Sequence, residues 1–521
     1  MHACAPWGPG CRRRPVVALL ASQIGYLESF LPANCASQAM SAPSTRPPGK
    51  RVDLPPANTA TIREEIRERA DTVATGGRGK RPIISTNDVD SVRGAAGRVA
   101  VVAGCRTPFA KAGSVLRDMD VVDLSGAAAA ELIERTNLDA SEIDLSIFGV
   151  VVPALRAPNL GREVVFRASL PMDIPGTTVN LACASSNRAI TSGAEAILSG
   201  QCEVVLAGGA ESLSNVPILF SKSAARRMVE LSKAKSIAQK LAVVTKFRPS
   251  DLVPVPPAIA EYTTGQTMGQ SAEKMAREND VSRRAQDEIA LMSHQRAATA
   301  AEEGYFADQI VSTFPPPAFD VPVNRDNGVR SDSSMEALAE LKPVFDRRYG
   351  SLTAGNSSPI TDGASAVLLM SEDRAKALGY EPLGFIRSWA YAALDPSTQL
   401  LQGPAYAAPA ALDAAGLRLE DLDLVEMHEA FAAQIVSNMK AFASPKFAQE
   451  ELGRDTPLGE IDLDRYNVNG GSIAIGHPFG ATGGRVVMQL LSELRRRGKN
   501  LGLLTVCAAG GVGHAMVVER E

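Results

Sequence analysis

The feature that most limits the possible folds of this chain is a loose internal repeat. Residues 182–212, ACASSNRAITSGAEAILSGQCEVVLAGGAES, combine a small-residue turn, a helical pattern, a β-branched strand pattern and a glycine turn. Residues 476–513, GHPFGATGGRVVMQLLSELRRRGKNLGLLTVCAAGGVG, have the same order nearly 300 residues later. Self-similarity of this kind predicts two related halves packed together rather than two unrelated domains.

Strand and helix patterns alternate from Arg98 onward. The segment RVAVVAGCRTPF is a β-branched run that ends in turn residues, which is typical of a buried strand. The segment DVVDLSGAAAAELIERTNL has helical periodicity and begins with an aspartate. Such alternation predicts an α/β fold with a mostly parallel sheet, and a length of 521 residues favours more than one core.

The composition argues against several classes of function. The chain has 54 basic and 58 acidic residues, a net charge of −4, so its overall charge does not favour nucleic acid or an anionic membrane. Its seven cysteines are odd in number, scattered and never spaced CxxC, which argues against a disulfide framework and a zinc site. Its five histidines include no HxxxH or HxH pair, so we expect no metal centre.

Residues 1–95 differ from the rest of the chain. They are rich in proline, glycine, serine, threonine and charge, so we expect a mostly disordered N-terminal extension in which only residues 61–73 form an exposed helix. The apolar run at residues 16–21 is too short to cross a bilayer. The arginines at positions 12–14 precede any acidic residue, as in a mitochondrial presequence, but a true start at Met40 is equally consistent. We expect a cytoplasmic protein, with the mitochondrial matrix as the alternative.

Two cysteines stand where reactive groups are often placed. Cys183, in VNLACASSNRAI, precedes a helical segment, and the free N–H groups of a helix N-terminus lower a thiol pKa from about 8.5. Cys507 ends a buried strand pattern and precedes AAGG, at the edge of the sheet where active-site groups emerge in α/β folds. Most free cysteines are small buried core residues, and that interpretation suits Cys105 and Cys202 and stays open for Cys183.

Two histidines lie in comparable positions. His477 is surrounded by glycines in GGSIAIGHPFGATGG, and His428 in LVEMHEAFAAQIV lies between an apolar segment and a helical pattern. A hydrogen-bonded structural histidine is an equally good interpretation of His428 alone. Two cysteines and two histidines at the ends of elements together provide a nucleophile and a base without a metal. Glycine-rich turns and helix termini also supply N–H groups that stabilise an oxyanion.

Four segments resemble the signature blocks of the thiolases, which cleave or form 3-ketoacyl-CoA. They are NLACASS, HEAFAAQ, NVNGGSIAIGHPFGATGGR and CAAGGVGHAMVVE, in the family's order, within a resemblance that covers residues 96–521. It implies the thiolase fold, with two similar βαβ-rich halves packed in a five-layered αβαβα arrangement. The expected N-terminal half spans 96–375 with a loop domain inserted at about 214–335, and the C-terminal half spans 376–521.

The resemblance also implies a role for each candidate residue. Cys183 matches the nucleophile that becomes acylated, and His477 matches its base, with glycines that let backbone and thioester approach the imidazole. Cys507 matches the second acid/base, which protonates the departing acetyl-CoA enolate and then deprotonates incoming CoA. The family binds the first oxyanion with the histidine of GHP and a water held from the EAF block, where this chain has His428 instead of the common asparagine.

Three further positions match sites of CoA or oxyanion binding. Ala509 matches a residue whose N–H, with that of the nucleophile, forms the second oxyanion hole. It replaces the usual glycine, so we expect the donor to remain while the backbone angle is in question. Ala354 and Ser358, in TAGNSSPITDGASA, match residues along the pantetheine. CoA is thus implied as a co-substrate, with no permanently bound cofactor.

HEAF and AAGG resemble the thiolase subunit of the fatty-acid β-oxidation trifunctional complex and its bacterial counterparts. That implies an acyl-CoA:acetyl-CoA C-acyltransferase that cleaves medium- and long-chain 3-ketoacyl-CoA with ping-pong kinetics. The basic and apolar residues 222–248 match a helical hairpin that meets the membrane or a partner subunit, although a solvated cover over the CoA tunnel is an equally good interpretation. Expected partners are a second copy, in a homodimer or dimer of dimers, and a hydratase/dehydrogenase α-subunit, but no nucleic acid.

Three alternatives stay open at this point. An acetoacetyl-CoA-specific acetyltransferase has the same signature blocks. A decarboxylating condensing enzyme of the ketosynthase type shares the fold but lacks a second catalytic cysteine, so Cys507 argues against it. A catalytically silent scaffold subunit is disfavoured because every reactive position is filled.

Overall fold

The structure is a computed structural model that describes residues 59–74, 84–85, 97–255 and 260–521. All of them belong to one compact unit, Pro56–Glu521. The strands in these residues are β1 (Ile84–Ser85), β2 (Val99–Arg106), β3 (Ala110–Lys111), β4 (Leu145–Gly149), β5 (Gly176–Val179), β6 (Val204–Glu211), β7 (Thr361–Ser371), β8 (Gly384–Ala393), β9 (Leu424–Met427), β10 (Leu501–Ala508) and β11 (Val512–Glu519).

The α-helices are α1 (Ala60–Glu68), α2 (Val121–Thr136), α3 (Leu160–Arg167), α4 (Ser185–Leu198), α5 (Lys222–Lys233), α6 (Ile237–Val244), α7 (Met268–Glu278), α8 (Arg283–Glu302), α9 (Met335–Ala339), α10 (Glu372–Ala377), α11 (Gly403–Ala415), α12 (Ala432–Ala443), α13 (Pro445–Phe447), α14 (Ser472–Ile475) and α15 (Thr482–Arg497). Short 3₁₀ helices lie at Ala70–Thr72, Ala140–Glu142, Leu213–Asn215, Pro249–Leu252, Leu400–Gln402 and Leu419–Asp421, and a π-helical turn lies at Ala448–Leu452.

The strands form two halves with matching order. The N-terminal half runs β5-β4-β6-β7-β2, and the C-terminal half runs β9-β10-β11-β8. The short strand β1 pairs with β8. The two halves join where the starts of β2 and β8 pair, with Val99 opposite Ile386. The internal repeat is confirmed, because α4 leads into β6 in one half and α15 leads into β10 in the other.

The prediction of a mostly parallel sheet is wrong. Among the strands described, seven pairings are antiparallel and three are parallel. The strands β10 and β11 are joined by the short turn 509–511, and a connection of that length can only return the chain antiparallel. A run of buried apolar residues identifies a strand but carries no information about its direction. The sequence pattern therefore could not predict which strand pairs are antiparallel.

Three hydrophobic cores separate five layers. Helices α2 and α3 pack on the outer face of the N-terminal half, and α11 and α12 pack on the outer face of the C-terminal half. Between the two halves of the sheet lie α4 and α15, whose apolar residues Ile190 and Leu490 belong to a core shared with strands of both halves. The α/β fold with the expected αβαβα arrangement is therefore confirmed.

The N-terminal helix forms, and one of its faces is buried. Ile62 and Ile66, which lie one turn apart on α1, are fully or almost fully buried, and the N–H of Ile62 lies 3.3 Å from the Glu288 carboxylate. The helix packs against α8 and α12, so the prediction of a helix is confirmed, and the prediction that it is exposed is wrong for the face that carries Ile62 and Ile66. Most of the remaining extension lies outside the described residues, and its expected disorder and presequence stay predictions.

The segment predicted as a loop domain contains two kinds of helix. Helices α5 and α6 contact each other and expose most of their side chains. Helix α8 contributes residues such as Ile289 and Met292 to the core of the C-terminal half, where it lies beside α12. In the described part of the chain, no helix has the length and apolarity needed to cross a bilayer.

Candidate active site

Cys183 lies in the turn between β5 and α4, as the sequence predicts. The turn is held by Ser185, whose hydroxyl accepts from the Leu181 N–H at 2.9 Å and donates to the Ala182 carbonyl at 2.6 Å. Ala182 adopts a left-handed φ of 46°, a conformation that costs a non-glycine residue about 1–2 kcal/mol. The turn thus presents the Cys183 sulfur, half-buried, at the N-terminal end of α4.

His477 reaches this sulfur from the other half of the molecule. It lies between α14 and α15, and its Nε2 is 3.1 Å from Cys183 Sγ. Its Nδ1 is 2.7 Å from the hydroxyl of Thr482, which donates to the Pro478 carbonyl at 3.2 Å. With the Thr482 proton directed at that carbonyl, the hydroxyl accepts from Nδ1–H, and the lone pair of Nε2 faces the thiol.

The glycines around His477 allow close packing within the protein. A Cβ on Gly483 would lie 2.0 Å from the Asn187 side chain, and a Cβ on Gly480 would lie 2.4 Å from the Ala210 carbonyl. Gly476 has a φ of 117°, which only glycine adopts readily. The missing side chains make room for the protein's own N-terminal half, so that α4 and α15 meet closely. Approach of a thioester to the imidazole stays a prediction.

Glu211 links the two halves beside the dyad. Its buried carboxylate accepts from the N–H groups of Val151 at 3.0 Å, Val152 at 2.9 Å and Gly480 at 3.1 Å. Burial raises the pKa of Glu211 to about 7, although the three N–H groups act in the opposite direction. The carboxylate fixes the loop that carries His477 to the N-terminal sheet. Sequence reasoning missed this residue, and its one signal is an acidic residue at the end of a fully apolar strand.

Cys507 occupies the penultimate position of β10 and is completely buried. Burial, and secondarily the nearby Cys183, raise the pKa of its thiol well above the ordinary value. The turn that follows lies beside Cys183, where the backbone N–H of Ala509 acts to lower the pKa of the Cys183 thiol. The alanine fits here, since Gly510 and Gly511 take the left-handed conformations and Ala509 is not among the positive-φ residues of the described chain.

His428 lies directly after β9, against the ring of His477. The two ring centroids are 4.1 Å apart, and His428 Nδ1 is 2.8 Å from the hydroxyl of Ser472. Its Nε2 is buried and has no hydrogen-bond partner among the residues described. Burial lowers the pKa of His428 far below the usual histidine value, so the ring is neutral at pH 7. The predicted position in a strand-to-helix turn is confirmed.

The nucleophile–base pair is neutral in the resting protein. Burial raises the pKa of the Cys183 thiol and lowers the pKa of His477, so both changes disfavour a thiolate–imidazolium pair. The sulfur and one ring nitrogen of each of His428 and His477 lie within 4.8 Å of one another. A metal ion accepts that spacing as well, so the expectation of a metal-free site stays a prediction.

A spectroscopic titration tests this neutrality. We expect the ultraviolet thiolate absorbance of Cys183, obtained as the difference between the wild type and Cys183→Ser, to stay flat from pH 6 to about pH 9, because burial holds the thiol pKa above its ordinary value of about 8.5. A thiolate step near or below pH 7 would show that the resting pair is ionic instead.

The two residues expected along the pantetheine lie in one loop beside the site. The Ser358 N–H donates to the Ala430 carbonyl at 3.0 Å, which places Ser358 against the turn that carries His428. Ala354 is exposed in the same loop. Contact of either residue with CoA stays a prediction.

Sequence reasoning also missed the side chains that orient the two histidines. Ser472 and Thr482 are buried hydroxyls five residues before and after His477, and Arg485 is a buried cation one turn into α15. Serine and threonine among glycines are usual in any loop, so nothing in the pattern distinguishes these two.

Comparison with known proteins gives a consistent result. The family model described as "Thiolase, N-terminal domain" matches residues 99–373, and "Thiolase, C-terminal domain" matches residues 380–520. The 3-ketoacyl-CoA thiolase of Serratia proteamaculans is 50% identical over 424 residues, which are 81% of this chain and 97% of that protein. The 3-ketoacyl-CoA thiolase of Shewanella loihica is 49% identical over 436 residues, or 84% of this chain and 100% of that protein.

Two solved structures share this architecture. The human mitochondrial 3-ketoacyl-CoA thiolase in complex with CoA superposes with a TM-score of 0.68 at 32% identity, covering 81% of this chain and 98% of that one. The acetyl-CoA acetyltransferase of Bacillus anthracis gives a TM-score of 0.69 at 32% identity with the same coverage.

Proposed function

The chain belongs to the thiolase family, and from that premise we propose that it catalyses the thiolytic cleavage of 3-ketoacyl-CoA by CoA, which yields acetyl-CoA and a shortened acyl-CoA. The observation that carries the proposal is the 3.1 Å approach of His477 Nε2 to Cys183 Sγ beside the turn that follows Cys507. Relatives about 50% identical over most of the chain are named 3-ketoacyl-CoA thiolase, which supports the same activity.

We propose that acylation begins with transfer of the Cys183 proton to His477 Nε2. The sulfur attacks the 3-keto carbon, and the protonated His477, with His428 beside it, stabilises the oxyanion. Collapse of this intermediate breaks the bond between C2 and C3. The Cys507 thiol protonates the leaving acetyl-CoA enolate at C2, which leaves an acyl group on Cys183 and a thiolate on Cys507.

The second half-reaction returns both protons. The Cys507 thiolate deprotonates CoA, whose sulfur attacks the thioester, and the N–H groups of Cys183 and Ala509 stabilise the second oxyanion. Cys183 leaves as a thiolate and recovers its proton from His477. Release of acetyl-CoA before CoA is consumed makes the kinetics ping-pong.

The test is an assay at two chain lengths. With CoA present, we expect loss of the magnesium–enolate absorbance with both acetoacetyl-CoA and 3-ketopalmitoyl-CoA, and a higher kcat/KM with the longer substrate. Turnover of acetoacetyl-CoA but not of 3-ketopalmitoyl-CoA would favour the acetyltransferase alternative. The structural similarity to the Bacillus anthracis acetyl-CoA acetyltransferase is consistent with that alternative. Decarboxylation of malonyl-CoA without thiolysis would contradict the proposal and favour a ketosynthase-type enzyme.

We propose that CoA enters as a co-substrate along the loop of Ala354 and Ser358, with no permanently bound cofactor. We also propose the boundaries 96–375 and 376–521 for the two halves, with the loop domain inserted at about 214–335. Relatives 50% identical to the chain are bacterial, which favours the cytoplasm over the mitochondrial matrix as its location.

The hairpin of α5 and α6 supports a proposed peripheral membrane contact through residues 222–248. Ile237 is 78% exposed and Leu241 is 59% exposed, with exposed basic side chains around them. Between residues 222 and 250 the one acidic residue is Glu230. Apolar side chains among exposed cations suit an anionic lipid surface. A hydratase/dehydrogenase subunit and a homodimer or dimer of dimers are the further partners that we propose.

A further inference from the structure

The hydroxyl of Ser472 joins the active site to a buried cation. Ser472 Oγ lies 2.8 Å from His428 Nδ1 and 2.8 Å from Arg485 Nη2. His428 and Ser472 are fully buried and Arg485 is 1% exposed, so water does not compete for these contacts. Among the described residues, the hydroxyl makes no other hydrogen bond.

The chemistry of these three groups leaves one arrangement of protons. The guanidinium of Arg485 carries only donors and keeps its charge at every pH at which proteins fold, so it donates to Ser472 and never accepts. The Ser472 proton therefore has one acceptor within reach, the Nδ1 lone pair of His428. If Nδ1 carried the hydrogen instead, Ser472 would accept twice and its own proton would be buried without a partner, at a cost of about 1–3 kcal/mol.

We propose that Ser472 and Arg485 are positioning residues that fix His428 as its Nε2–H tautomer, so that this ring is a permanent N–H donor to the first oxyanion. The catalytic part of this inference rests on the proposed thiolysis. This assignment gives the buried Nε2–H of His428, which has no partner among the described residues, an acceptor in the first oxyanion.

The neighbouring ring has the opposite tautomer. Thr482 accepts from Nδ1–H of His477, which leaves the Nε2 lone pair for the Cys183 proton. Of the two neighbouring imidazoles, whose ring centroids are 4.1 Å apart, His477 thus serves as a base and His428 as an N–H donor. Were His428 in the tautomer of His477, its lone pair would face the developing negative charge and repel it.

One buried acid, Glu426, lies near Arg485 without a direct hydrogen bond to it, and burial raises the pKa of that acid to about 8. Arg485 Nη1 lies 3.8 Å from Glu426 Oε2, and Gln489 donates to the other oxygen of that carboxylate at 3.2 Å. Glu426 precedes His428 by two residues on β9, and Arg485 and Gln489 lie one turn apart on α15. The strand that precedes His428 and the helix that follows His477 therefore also carry Glu426 and Arg485.

The tautomer itself is measurable without any reaction. In protein labelled with ¹⁵N-histidine, long-range ¹H–¹⁵N correlation distinguishes a ring protonated at Nε2 from one protonated at Nδ1, and the signals lost in His428→Asn assign that residue among the five histidines. We expect the Nε2–H pattern for His428 and the Nδ1–H pattern for His477. The Nδ1–H pattern at His428 would overturn the inference, whatever the enzyme's activity.

A double-mutant cycle tests the catalytic consequence. In the wild type, Ser472→Ala is expected to lower kcat about tenfold with little change in KM, which is less than the 10²–10³-fold that is typical when an oxyanion donor is lost outright. In the His428→Asn background the same substitution is expected to have no further effect, because its partner is gone. Asparagine is common at this position in the family, which keeps the background measurable.

The outcomes separate the inference from the proposed function. An equal loss from Ser472→Ala in both backgrounds would mean a merely structural role and would overturn the inference while thiolysis stands. Absence of thiolysis in the wild type would overturn the proposed function, and the tautomer measurement would still decide the assignment. Thermal unfolding of each variant shows whether it folds, and if Ser472→Ala does not, that measurement on the wild type is decisive.

Discussion

Replacing Cys183 by serine is expected to lower the rate of thiolysis on the order of 10⁴-fold or more, because removing the nucleophile of a catalytic unit disables the whole unit. A serine hydroxyl at this position would face the same base, 3.1 Å away in the wild type. It is a much weaker acid than a thiol and forms an ester, which CoA cleaves more slowly than a thioester. The neutral His477 ring is too weak a base to deprotonate the serine hydroxyl efficiently.

The measurement is thiolysis of 3-ketopalmitoyl-CoA, with mass spectrometry of the peptide that contains residue 183. The wild type should carry an acyl adduct on Cys183 when CoA is withheld, and Cys183→Ser should carry none. Cys202→Ser is the matched control, since Cys202 is a free, partly exposed thiol on the segment between α4 and β6. Turnover within tenfold of the wild type in Cys183→Ser would exclude the covalent mechanism.

Replacing His477 by glutamine is expected to lower kcat on the order of 10⁴-fold, since the side chain has two tasks. General-base assistance is worth about 10²–10⁴-fold, and an oxyanion donor is worth about 10²–10³-fold. Glutamine retains an amide donor but has no basic nitrogen. Because the resting pair is neutral, no preformed thiolate takes over when the base is lost.

Cys507→Ala is the informative comparison for His477→Gln. Both variants should lose turnover, because Cys507 supplies the proton that the leaving enolate needs. Alkylation of Cys183 by iodoacetamide should slow only in His477→Gln, since Cys507 has no part in activating the nucleophile. Equal alkylation rates in His477→Gln and the wild type would contradict the assignment of His477 as the base.

The sequence predicts the site better than it predicts the sheet. Cys183, His428, His477 and Cys507 were recognisable because each ends an element and is followed by small residues or a helix, and because topology brings the ends of central elements together. Strand direction was not recognisable, because it depends on connections such as the turn 509–511 rather than on the pattern of apolar residues.

The burial of α1 and the orienting side chains escaped prediction for a different reason. Ile62 and Ile66 read as isolated apolar residues in a charged segment, and only the tertiary structure reveals the groove they fill. Ser472 and Arg485 act through their distances to His428, and no linear pattern encodes those distances. Glu211 was missed likewise, since its role depends on the N–H of Gly480, which lies in a loop more than 250 residues away.

The division of the dyad between the two halves has a consequence for the chain during its synthesis. Cys183 emerges from the ribosome long before His477, so the nascent N-terminal half carries an ordinary thiol with no base beside it. Its activation by His477 begins only when α15 docks against α4 and Glu211 accepts the Gly480 N–H. Catalytic competence is therefore a late event in folding, and a truncated or half-folded product lacks the base that activates the nucleophile.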